Sequence, residues 1–173
     1  AYATISPVVL QRAMFTATGV YNFPGLIVKG RVAKTNKVPS GAFRGFGSPQ
    51  VLFGIEQLMN RIAVETGNAF LPFKKRYFLE KGDTTATGGK MWGDVKIREV
   101  LNKINEMSGY EKKKQSPGSN RGVGVSFFLH GCGFTGKGEV DISGEVILKK
   151  KGNKVSIHTS NVEMGQGAST TLI

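Results

Sequence analysis

Cysteine is nearly missing from this chain: Cys132 stands alone among 173 residues. An internal disulfide is therefore excluded, no iron–sulfur cysteine pattern is present, and a reducing cytoplasmic setting is expected. Only two histidines accompany that cysteine, and His130, Cys132 and His158 lack metal-ligand spacing, so they read as structural or incidental. Long apolar runs are also missing, and none approaches the roughly 20 residues of a membrane span. The opening stretch is broken by Pro7, Gln11 and Arg12 and has no basic leader, so no signal peptide is expected. Acidic residues are scarce, 12 against 24 Lys and Arg, a net charge of +12. That balance raises a polyanion as partner, and a basic non-catalytic domain binding nucleic acid is the alternative reading. The basic runs at residues 74–76, 112–114 and 149–151 are scattered, however, and no aromatic platform is interleaved with them. They read as solvated faces or linkers. Nucleic acid is therefore unlikely on these grounds, and an anionic cofactor is preferred.

Glycine, by contrast, is abundant at 24 residues, and it is concentrated where chemistry is expected. Residues 40–50 read SGAFRGFGSPQ, with Gly41, Gly45 and Gly47 set among Phe43, Arg44, Phe46 and Pro49. Glycines let a ligand approach the backbone, and an arginine among them offers a planar fork of donors suited to oxyanions. Ser48-Pro49 then reads as an N-cap followed by proline at the first helical position. Val51, Leu52, Ile55, Leu58, Met59, Ile62 and Ala63 follow at spacings of 3 and 4, one face of an amphipathic helix. Arg44 and Phe46 are thus expected on a loop feeding a helix N-terminus, where free N–H groups favour a negative ligand.

In chain order, Ser6-Pro7 predicts a first helix reaching about residue 17, and residues 26–33 read as a strand. After the helix that ends near Gly67, a short one is expected over residues 70–79. An exposed loop covers 81–93, and a helix from residue 95 to about 107 carries Ile97, Val100, Leu101, Ile104 and Met107 on one face. Residues 111–120 are charged and contain Ser, Pro and Gly, which reads as a linker. Strands are expected at 121–129, 138–148 and 154–159, the last two joined by a turn at 151–153. The fold class is α+β, with helices in the N-terminal two thirds and antiparallel strands after about residue 120. The expected division is a helix-rich part at 1–110, the linker at 111–120, and a β-rich part at 121–173. No internal repeat is visible.

Near the end, residues 161–170 read NVEMGQGAST and repeat the plan of the first loop. Gln166 stands between Gly165 and Gly167, and Ala168 opens a short helix. A glutamine amide offers two donors and an acceptor, which suits a heteroaromatic edge or a phosphate. A cradle for one planar, anionic cofactor would use both loops.

AFRGFGSPQ and EMGQG, in this order, resemble the molybdenum-cofactor-binding large subunit of the xanthine dehydrogenase/aldehyde oxidase family. RAMF, VYNFPG, KTN and GVSFF extend the resemblance over essentially the whole chain. It implies an internal fragment of a longer oxidoreductase that hydroxylates an N-heterocycle or an aldehyde with oxygen from water. The cofactor would be molybdenum-molybdopterin, as such or as a dinucleotide. The 2Fe-2S and FAD centres, and the downstream base, would lie on other segments or subunits. The fragment by itself is expected to be inactive.

Residue by residue, the resemblance implies that Arg44 lies by the molybdenum ligands, next to Phe43 and Gly45. Arg12 would orient substrate and, with Arg44, take a catalytic part. Phe46 and Phe127 would sandwich a planar substrate, with Phe128 beside them. Met164, Gly165, Gln166 and Gly167 would bind the cofactor. Two departures stand out: Ser48 replaces a glycine usual in the loop, and Phe128 replaces a polar residue of the xanthine branch.

Overall fold

Ser6-Pro7 and Ser48-Pro49 each start a helix, yet neither serine caps one. In the computed structural model, which describes residues 4–115, 118, 120–130 and 144–173, α1 spans Ser6–Phe15 and α2 spans Ser48–Glu65. Their N-caps are Ile5 and Gly47, and neither makes a side-chain capping bond. The prolines carry the start instead, because a locked φ suits the first turn and the missing N–H has no partner there to lose. Ser48 is buried, and Thr16 donates to its hydroxyl at 3.1 Å. The expectation of a Ser48 cap is corrected: the serine joins α2 to the end of α1.

Three further helices belong to the same part: α3 at Phe70–Lys75, α4 at Ile97–Ser108 and α5 at Tyr110–Gln115. Helix α3 is shorter than expected. Gly109 closes α4 in a left-handed conformation, the ordinary way to stop a helix. Residues 111–115 are helical as well, where an irregular linker was expected. The chain separates into two compact units, residues 1–130 and 131–173.

In the first unit, Val20, Tyr21, Met59, Ala63, Leu71, Phe73, Phe78, Leu101, Tyr110 and Phe127 form the core. The segment around Tyr21 is tied to the one around Phe78 by Asn22 N–H to the Tyr77 carbonyl and Leu79 N–H to the Val20 carbonyl. Helix α2 buries Glu56, Met59 and Ala63. Leu58 stays 49% exposed, so the buried stripe admits a carboxylate and leaves out a leucine.

Two expected strands are absent among the described residues. Residues 26–33 form no regular element among the described residues, and Leu26, Ile27 and Val32 remain exposed. Alternation alone could not supply a partner strand, which the ladder requires. Residues 121–129 run without a strand assignment. Val123, Val125 and Phe127 turn inward while Gly124, Ser126 and Phe128 are exposed, so the period of two is real. Among the described residues no backbone hydrogen bond pairs 122–130 with a neighbour. The alternation is present, and no paired strand accompanies it among the described residues.

In the second unit, β1 at Val146–Lys151 and β2 at Lys154–Thr159 form an antiparallel hairpin. The turn falls at Gly152 and Asn153, as the sequence predicts. Of the expected strand at 138–148, residues 146–148 lie in β1 and 144–145 carry no strand assignment, while 131–143 and with them Cys132 lie outside the described residues. A short α6, Ala168–Thr171, ends the chain. The α+β class holds, with the helices mostly in the first unit.

Candidate functional site

The glycine loop turns through three consecutive left-handed residues, Gly45 at φ 91°, Phe46 at φ 51° and Gly47 at φ 98°. A phenylalanine in that region is strained, at a cost of about 1–3 kcal/mol, and persists only where its surroundings fix it. Here Phe46 N–H donates to the Phe43 carbonyl at 2.7 Å, and Ser48 N–H donates to the Gly45 carbonyl at 3.0 Å. Gly47 is required twice over, by its φ and because a Cβ would run into the Val9 carbonyl oxygen of α1. The loop is thereby pressed onto α1 while Phe43 is left 85% exposed.

Beside this loop lies a cleft of about 720 Å³. Phe43, Arg44 and Gly45 line one part, and Phe53, Glu56, Gln57 and Asn60 of α2 another. Ser126, Phe127, Phe128 and His130 complete it. Aromatic surface and hydrogen-bonding groups are therefore interspersed, as a planar, polar and anionic group requires.

Glu56 at the edge of this cleft is buried, 5% exposed, and both carboxylate oxygens are satisfied. Tyr21 donates its hydroxyl to Oε1, and Lys74 donates from Nζ to Oε2 at 2.8 Å. Burial first, and then the Glu56 hydrogen bond, push the Tyr21 phenol far up, so it stays a donor at any working pH. Lys74 is 1% exposed, which corrects its reading as part of a solvated basic run. Its ammonium lies 5.8 Å from the Phe127 ring centroid. Phe127 is also edge-on to Phe78 at 5.0 Å and belongs to the core as well as the cleft.

The structure thus brings Phe43, Arg44, Gly45, Phe127 and Phe128 together. Two other residues singled out in the sequence do not line this cleft. Arg12 is half-buried on α1, and Phe46 is half-buried within the loop. Sequence reasoning missed Glu56 and Lys74. The signal for Glu56 was its place at helical spacing between Leu52 and Met59, on the face assigned to the core.

In the second unit, the Gln166 loop closes on itself. Gln166 Nε2 donates to the Val162 carbonyl at 2.7 Å, and its Oε1 accepts from Met164 N–H at 2.6 Å. Glu163, also missed, accepts from the N–H groups of Gly165, Gly167 and Ser169 at 2.7, 3.0 and 3.1 Å. These bonds, led by Gly167 and Ser169, hold the Glu163 carboxyl below the usual carboxylate range. Its readable signal was a carboxylate just before a helix start, where N–H groups are free. The donors expected to face a cofactor are engaged within the loop, so a ligand there would exchange one set of hydrogen bonds for another.

Two family models, each described as a molybdopterin cofactor-binding domain, match residues 1–78 and 102–173. The chain belongs to the molybdopterin cofactor-binding domain family of the xanthine dehydrogenases and aldehyde oxidoreductases. It is 30% identical over 172 residues to a xanthine dehydrogenase of Calliphora vicina, covering 95% of this chain and 13% of that protein. It is 31% identical over 166 residues to an aldehyde oxidoreductase of Megalodesulfovibrio gigas, covering 92% and 17%. Among solved structures, an aldehyde oxidoreductase from Desulfovibrio gigas superposes with a TM-score of 0.57 at 28% identity, covering 68% of this chain and 13% of the other. The chain therefore spans less than a quarter of the length of these relatives. Among the described residues no helix is long and apolar enough to cross a membrane.

Proposed function

We propose that these residues form part of the cofactor-binding region of a molybdenum hydroxylase large subunit, within a longer chain. The whole enzyme would oxidatively hydroxylate an N-heterocycle or an aldehyde, in the cytoplasm, passing electrons to 2Fe-2S and FAD centres on other segments or subunits. Residues 1–110 would bring the Arg44 loop and residues 121–173 the Gln166 loop, and this segment by itself would not turn over substrate. The observation that carries the reading is the cleft that gathers Arg44 with Phe43, Phe127 and Phe128.

The residues fit the group. Arg44, Gln57, Asn60 and Ser126 supply donors around the cleft, and its aromatic side chains supply flat apolar surface. Two-electron oxidation, with oxygen taken from water, is what the molybdenum cofactor supplies when bound. The protein's contribution is to hold and orient. The Arg44 fork would stabilise negative charge near the reacting centre, as fixed cationic donors do in a site sheltered from water. Phe127 and Phe128 would seat a flat ring, and Phe46 would join them in a loaded enzyme. Arg12 would orient a substrate that carries or develops negative charge. Met164, Gly165, Gln166 and Gly167 would bind the pterin by opening their internal hydrogen bonds.

The test is Arg44→Ala in the full-length enzyme, assayed with an aromatic aldehyde and a purine while bound molybdenum and pterin are quantified. Turnover should fall by at least about 10²-fold, the scale of one preorganised donor. Near-normal turnover at full cofactor occupancy would remove Arg44 from the centre.

A further inference from the structure

A buried charge pair at the edge of a binding cleft calls for a reason, since three apolar side chains of similar shape would hold a core at least as well. What an apolar trio lacks is direction. Glu56 receives one donor on each oxygen, Tyr21 on Oε1 and Lys74 on Oε2. Its rotamer is fixed at both ends, and the Lys74 ammonium is fixed with it. From that carboxylate two chains of contact lead to the same aromatic ring. Lys74 Nζ sits 5.8 Å from the Phe127 centroid. Tyr21 stacks on Phe78 at 6.0 Å, and Phe78 meets Phe127 at 5.0 Å with the rings inclined by 70°.

We propose that Glu56 is a positioning residue: with Tyr21 and Lys74 it forms a buried polar strut that fixes Phe127 as the seat of a planar ring in the cleft. The inference rests on the reading of that cleft as a binding site, and it adds a support that no motif in the sequence marks. Phe127 then serves two purposes, closing the core on one side and lining the cleft on the other. A ring anchored only by apolar packing could shift with its neighbours. This one is referenced to a carboxylate whose two bonds leave it one orientation.

The experiment uses the full-length enzyme and quinoline as a planar, neutral probe, with affinity measured by equilibrium dialysis and stability by thermal melting. The variant Tyr21→Phe/Glu56→Leu/Lys74→Met removes every polar group of the strut while keeping its bulk. It should melt close to wild type, because matched removal of all partners is nearly neutral. Quinoline should nonetheless bind about tenfold more weakly, the scale of one well-placed aromatic contact. Adding Phe127→Leu to that variant should cost nothing more, whereas Phe127→Leu in the wild-type background should cost the same tenfold, the non-additivity of coupled residues. Wild-type affinity in a stable triple variant would overturn the proposal, and so would full additivity with Phe127→Leu. If Phe127→Leu by itself left quinoline binding unchanged, the cleft reading would fail and the inference with it. Should the triple variant not fold, Tyr21→Phe is the substitute. It deletes one hydroxyl bond and should weaken quinoline about threefold, and unchanged affinity there would overturn the strut.

Discussion

The Arg44 loop and the Gln166 loop look alike in sequence and are opposite in construction. Both place a bulky polar residue beside glycines just before a helix. Around Arg44 the loop is braced by distant parts of the chain: Gly47 presses on α1, and the cleft beside it is completed by residues 125–128 and His130. Around Gln166 the bonds of the Gln166 amide and the Glu163 carboxylate reach no further than six residues along the chain. One loop therefore sets its arginine at the wall of a cleft and depends on the fold. The other spends its side chain on its own backbone. A glycine-flanked motif signals a sharp backbone, and what the central side chain does is decided by its neighbours.

The largest effect should come from the distant supports. Lys74→Ala leaves Glu56 buried without its charge partner and should destabilise the first unit by about 3–5 kcal/mol, read as a lowered urea midpoint. An unchanged midpoint would mean the pair is solvated in solution. Next is Gly47→Ala, which forces a Cβ into a left-handed residue against the Val9 carbonyl. It should cost about 1–2 kcal/mol from the conformation alone, and more if α1 must move. Stability equal to wild type would show that the loop is not braced by α1.

Smaller and local effects are expected in the second unit. Glu163→Gln should leave the global midpoint unchanged while hydrogen exchange speeds up at the amides of Gly165, Gly167 and Ser169. The pH dependence follows from the depressed carboxyl. The stabilisation by Glu163 is fully present above the ordinary glutamate value of about 4.3. It is lost as pH falls through the lower folded value, because the protonated acid gives up its charge-assisted acceptor role. Amide protection in this loop should accordingly be flat near neutrality and decline only in acid. A decline already at pH 6 would assign the protection to another group.

How much of this was legible beforehand divides along the same line. Local signals were readable. The Ser-Pro helix starts, the heptad-like spacing of α2 and α4, and the hairpin turn at Gly152 and Asn153 all depend on neighbours in sequence. A strand was expected at residues 121–129, but pairing belongs to a second segment, and none pairs with them among the described residues. Glu56 and Lys74 escaped for the same reason. A carboxylate 18 residues from a lysine carries no motif, and Lys74 inside a run of three basic residues looks solvated. The family resemblance identified the loops without identifying what supports them.

The reliance of the cleft on Phe127 also has a consequence in time. Ribosomal synthesis runs from the N-terminus at about 5–20 residues per second. Phe127 follows Arg44 by more than eighty residues, so about 4 to 16 seconds separate their emergence at that pace. Throughout that interval the Arg44 loop, Phe43 and the buried face of α2 exist without the ring that closes them. The nascent chain thus carries an unfinished aromatic groove for seconds, long enough for chaperone capture or for a wrong partner to dock. The bonds of the Gln166 and Glu163 side chains need no such interval: they span two to six residues, and loops of about that length close in about 10–100 ns.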